Sequence, residues 1–84
     1  MELDRLHDLE EDYKTFRTLS LSVKRARNQR EKKDFESELY DLRERMIKQY
    51  SLKNYVPLIK STGDHNYFDF DVQECITKIK NEIR

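Results

Sequence analysis

KRARNQREKK, residues 24–33, decides how the rest of the chain is read, because it carries six basic side chains, one acid and a single apolar residue, Ala26. Apolar residues recur at helical spacing on either side of it. Upstream they are Leu6, Leu9, Tyr13, Phe16 and Val23; downstream they are Phe35, Leu39, Leu42, Met46 and Tyr50, one position out of step with the first series. A register break across a polar stretch predicts two antiparallel helices joined at a basic tip.

The upstream helix is expected from residue 3 to about residue 27, with Ser20 completing a seam that alternates three and four as a heptad does and with Leu3 and Leu19 widening it. Its weak point is TLSLS, residues 18–22, where hydroxyl side chains compete for backbone hydrogen bonds. A break there would end the first helix near residue 17 and start the second near residue 22. A turn near Asn28 is preferred, since it gives arms of similar length and leaves cations at the first helix's C-terminal end.

NQRE, residues 28–31, fits a capping box in which Asn28 accepts from the third helical amide and Glu31 reaches back; Asp34 is a second candidate cap. The second helix is expected to end near residues 50–52, with Ile47 beside its apolar face. Its outer face is read as paired charges, Glu38 near Arg43 and Asp41 with Arg45, worth tenths of a kcal/mol each.

Residues 51–70 contain the only Pro and the only Gly. Thr62-Gly63-Asp64 is a turn signal flanked by β-branched and aromatic runs, which predicts either an irregular loop or a short two-stranded β-hairpin lying against the helices. A final helix over residues 71–84 is expected from the capping box of Asp71 and Glu74, with Phe70 stapled onto Cys75. Its apolar face would be Val72, Cys75, Ile76, Ile79 and Ile83. The whole is therefore mainly α and a single domain, residues 1–84: a helical hairpin over 1–50, a connection over 51–70 and a C-terminal helix.

Composition bounds the rest. Apolar residues make up 36% and charged ones 40% of the 84 residues, which suits helices with one buried stripe and predicts a thin core. Seventeen basic residues balance seventeen acidic ones, but unevenly: residues 1–12 hold six carboxylates against one Arg. The lone Cys75 excludes an internal disulfide, and no apolar run approaches the roughly 20 residues of a membrane span. A cytoplasmic protein without membrane attachment is expected.

Function narrows to binding. Lys24, Arg25, Arg27, Arg30, Lys32 and Lys33 are a candidate phosphate site for nucleic acid or nucleotide, set against the simpler reading of a solvated helix end. Asp64, His65, Asp69, Asp71 and Cys75 are metal-ligating types in a spacing that matches neither zinc nor calcium patterns, so no metal or cofactor is expected. No nucleophile and base stand at a recognisable spacing, and one Gly leaves little scope for a phosphate-cradling loop; no enzyme activity is expected. The heptad stripe remains. Beyond packing the hairpin itself, it suggests self-association, a dimer most simply, through Leu6, Leu9, Tyr13, Phe16, Leu39, Leu42 and Met46. The expected activity is a protein–protein interaction module, and the small size and Lys-, Asn-, Ile- and Tyr-leaning usage suit a small regulator or inhibitor of a phage or mobile element.

Overall fold

The computed structural model describes residues 1–83 and contains three long helices: α1 (Leu3–Lys24), α2 (Gln29–Gln49) and α3 (His65–Ile83). A 3₁₀ turn, Leu52–Asn54, follows α2. The molecule is elongated, 45 × 23 × 17 Å, because α1 and α2 lie side by side along its length and α3 covers only part of the groove between them.

The hairpin forms as its seam predicts, and the hydroxyl-rich stretch does not break α1. The Ser22 hydroxyl donates to the Thr18 carbonyl one turn earlier (3.1 Å), so the competing group bonds within the helix. The turn falls at residues 25–28. Asn28 caps α2, its Oδ1 accepting from the Glu31 amide at 2.8 Å. At the other end the hairpin is cross-linked by polar side chains. Tyr50 donates to Asp12 (2.7 Å), Arg45 pairs with Asp12 (3.6 Å), and Arg5 donates to the Gln49 carbonyl. Burial and the neighbouring Asp12 push the Tyr50 hydroxyl well above the usual phenol range, so it acts as a permanent donor.

Two sequence expectations are corrected in the connection. No strand forms among the described residues, and residues 55–64 fold instead as turns and bends. The last helix starts at His65 and not at Asp71, so the run read as strand or loop, YFDF, is the first two turns of α3. The cap is Asp64, whose Oδ1 accepts from the Asn66 amide at 2.8 Å. Aromatic content suggested β structure there, but Phe68, Val72, Cys75 and Ile79 fall on one helical face and are all buried. Tertiary packing of that face decides the outcome. Phe70 consequently points outward, 67% exposed, and makes no staple to Cys75.

The core is continuous across the three helices. Leu6, Leu9 and Phe16 of α1 meet Leu39, Leu42 and Met46 of α2, and α3 closes over them with Phe68 4.9 Å from the Phe16 ring. Leu52 and Ile59 of the connection complete this core. Ser51, in the left-handed region at φ 51°, turns the chain sharply enough after α2 to bring Leu52 back inward. Polar contacts fix α3 against α1: Tyr13 donates to Asp69 and accepts from Gln73 (2.9 Å), and Lys80 pairs with Glu10 (3.7 Å).

Asp64→Ala should destabilise the fold by about 0.5–2 kcal/mol through loss of the cap, while Asp71→Ala should stay within about 0.5 kcal/mol, as surface substitutions do. Urea unfolding followed by circular dichroism separates them; the reverse order would return the helix start to Asp71. Leu9→Ala, at a fully buried position, should cost about 2–5 kcal/mol in the same assay.

Candidate functional site

Arg43 lies four residues after Leu39 and four before Ile47, on the flank of the buried stripe of α2. The outer-face pairing expected for it with Glu38 does not occur. Its side chain is 1% exposed and reaches under the connection. Nη2 donates to the carbonyls of Lys60 (3.0 Å) and Thr62 (2.8 Å), and Nη1 donates to that of Gly63 (2.9 Å). Nη1 also lies 2.9 Å from His65 Nδ1. The guanidinium carbon lies over two aromatic rings, 4.7 Å from the Phe68 ring centre and 5.3 Å from that of Tyr40.

This is a buried cation satisfied by main-chain dipoles. Burial lowers the Arg43 pKa from its ordinary value, opposed by Tyr40 and Asp64, but a guanidinium keeps its proton in proteins. Only Nε has no partner among the described residues. Since every nitrogen of Arg43 is a donor, His65 Nδ1 accepts, which assigns the imidazole proton to Nε2 and the neutral form to the ring. Burial and the Arg43 charge both push the His65 pKa down. Gly63, at φ 89°, supplies the left-handed conformation that lets consecutive carbonyls turn toward one guanidinium.

The grip sorts the side chains of the connection. Ile59 is driven into the core and Leu58 beside it stands out, 83% exposed. Tyr67 and Phe70, one turn apart on α3, are 73% and 67% exposed. Leu58 and Tyr67 flank a cleft of about 500 Å³ floored by Phe68 and Arg43 and edged by Asp64 and Asp71. Burial, reinforced by Glu74, raises the Asp71 carboxyl above the usual range. Residues 64–74 contain four carboxylates and no Lys or Arg, so the α3 side of this apolar display is acidic, while the exposed Lys60 lines the cleft from the connection.

The residues singled out in the sequence divide cleanly. Leu6, Leu9, Phe16, Leu39, Leu42 and Met46 are buried within the chain's own core and Tyr13 of α1 is half-buried against α3, so the heptad stripe is covered by the chain itself. The tip cations Lys24, Arg25, Arg27, Arg30, Lys32 and Lys33 are all exposed. Among the described residues no three His, Cys, Asp or Glu side chains converge as a metal site does. Asp64 is a cap, Asp69 accepts from Tyr13, and Cys75 packs in the core with its thiol 3.7 Å from the Leu52 carbonyl. Burial, with Asp71 and Glu74 nearby, pushes that thiol up to about 11, so it stays protonated. Among the described residues, no helix is long and apolar enough to cross a membrane. Sequence reasoning missed Arg43 and Leu58; the signal for Arg43 was its place between Leu39 and Ile47, which a polar residue type masked.

Comparison with protein-family models, with curated proteins and with solved structures finds no match to this chain.

Arg43→Met should cost about 3 kcal/mol or more, because it leaves three main-chain carbonyls and the His65 nitrogen without a donor; chemical denaturation measures it. The His65 contact adds a pH dependence. Tyr40, Arg43 and Glu36 of α2, Asp64, Asp69 one turn on along α3, and Arg17 and Lys24 of α1 surround that ring. Above its ordinary value of 6.5 the imidazole is neutral in folded and unfolded chain alike. Below that value the unfolded chain takes up the proton first, so stability falls as pH drops from about 6.5 toward the depressed folded value and then levels off. Urea midpoints at pH 7.5 and 5.5 should differ for the natural chain and converge for His65→Gln, which keeps an acceptor that does not titrate.

Proposed function

We propose that this chain is a non-enzymatic protein–protein interaction module whose contact surface is the Leu58, Tyr67 and Phe70 display. The observation that carries the reading is the combination of high exposure with a rigid support. Leu58 and Tyr67 stand out from backbone that Arg43 and the Asp64 cap hold in place, so a partner meets a preformed apolar surface and little ordering cost is added on binding. Aromatic residues set on such a support are typical of the centre of an interface. The carboxylates Asp64 and Asp71 on the α3 edge, facing Lys60 across the cleft, favour a partner segment that sets an apolar anchor beside a Lys or Arg on its α3 side.

The seven seam residues enter this reading as scaffold. A dimer through them would require the hairpin to open and re-form the same packing between two chains, the exchange that defines a swapped dimer. The non-enzymatic part of the proposal is supported by the commitment of Cys75 to packing and of His65 to accepting from Arg43.

The experiment is a comparison of the natural chain with Leu58→Ser/Tyr67→Ser in quantitative capture from a lysate and in light scattering over a concentration series. The double variant should fold normally, with Tm shifted by no more than about 4 °C, and should lose at least tenfold in affinity for captured proteins. Leu3→Ser, an equally simple change at an exposed apolar site on α1, should leave capture unchanged. Undiminished capture by the double variant would remove the display from the interface.

A further inference from the structure

The Leu58 display leaves the hairpin tip without a role. At its first residue α3 meets Phe16 and Tyr40, the His65 ring lying 6.3 and 5.2 Å from theirs. From those positions α1 continues to Lys24 and α2 extends back to Gln29. At 1.5 Å per residue the two helix axes therefore run on about 12 to 16 Å past these contacts, with the Lys24 side chain reaching back to line a small cleft beside His65 and Asp69.

All six cations of the tip are exposed, and none is in an ion pair among the described residues. Residues 24–36 hold these six against three acids, Glu31, Asp34 and Glu36. Lys24 and Arg25 complement the C-terminal end of α1, but Arg30, Lys32 and Lys33 sit in the opening turns of α2, where the helix dipole disfavours positive charge. Helix stability accounts for two of the six cations and opposes three. The acid-rich residues 1–12 lie at the far end of α1, about 30 Å away by helical rise. That is several times the roughly 8 Å screening length at physiological salt, so they do not cancel the field at the tip.

We propose that the tip docks on the phosphodiester backbone of a nucleic-acid duplex and binds it without reading sequence. Six unpaired cations on one projection replace condensed counterions, which supplies affinity. Two helices side by side measure roughly 20 Å across, wider than the roughly 12 Å major groove, so the tip lies over the backbone and not within the groove. It has no aromatic side chain on which single-stranded bases would stack, and Ala26, its one apolar residue, is half-buried and too small to anchor in a lipid surface.

Fluorescence anisotropy of a labelled 20-base-pair DNA duplex between 50 and 300 mM NaCl tests this. The natural chain should bind at 50 mM, weaken steeply with salt and show equal affinity for a scrambled duplex. Arg27→Glu/Arg30→Glu should weaken binding at least tenfold. Lys32→Gln/Lys33→Gln should make the slope of log K against log salt shallower by about 1.8, the value for two phosphate contacts. Lys53→Glu, an exposed charge on the 3₁₀ turn, should change neither, and circular dichroism should show every variant folded. Absence of binding at 50 mM, unchanged binding in the tip variants, an equal loss in Lys53→Glu, or tighter binding to phosphatidylserine vesicles than to the duplex would each overturn the proposal.

Discussion

A guanidinium withdrawn from water must find acceptors for its protons, and the segment between α2 and α3 is shaped by that requirement. Arg43 takes carbonyls from Lys60, Thr62 and Gly63, beyond the backbone-bonded turns that run from Ser51 to Ile59. The geometry propagates. Gly63 turns the backbone, Asp64 caps α3, and His65 in the first turn lies against the same guanidinium, so one side chain on α2 ties the connection to the first turn of α3. Because no carboxylate among the described residues lies within ion-pair distance of it, the positive charge is offset by oriented peptide dipoles and two aromatic faces. Such a node is strongly destabilising to break, although burying the charge is itself costly.

Stability is graded along the hairpin as a result. At its base, Asp12 holds Tyr50 and Arg45, and Arg5 reaches the end of α2. Around Arg43, three elements meet with nearly every polar atom satisfied. Beyond that point α1 and α2 continue as a pair alone, with Leu21 48% exposed and Phe35 half-buried. Fewer buried apolar contacts per turn make the tip the place where local opening costs least. The tip cations and the Leu58 display therefore belong to regions of different rigidity.

The hairpin was legible in the sequence because its signal is local: Leu6, Leu9 and Phe16, then Leu39, Leu42 and Met46, fall at helical spacing, and Asn28 with Glu31 marks the start of α2. The start of α3 was not, because Tyr67, Phe68 and Phe70 carry strand-like preferences and two caps competed, Asp64 and Asp71. Only the docking of Phe68 on Phe16 settles the choice, and that is a contact between residues far apart in the chain. Arg43 was illegible for a related reason. An arginine at a stripe edge normally extends into water, and its burial depends on carbonyls some 17 to 20 residues away. The seam residues were read as a self-association interface because periodicity does not say whether a stripe is covered by its own chain or by another; here the chain's own packing buries six of the seven. The tip cations were visible as a charge cluster; that they project past the third helix depends on where α3 begins.

Arg43 recognises residues 60, 62 and 63 through main-chain oxygen alone. Nothing in that grip depends on what side chains the gripped residues carry, apart from the backbone freedom that Gly63 provides. The frame and the surface it presents are thus under separate control: Leu58, Lys60 and Thr62 are free to change identity without altering the path of the chain. Substitution at these positions changes the chemistry of the surface over residues 58–62 and leaves the scaffold beneath it unchanged.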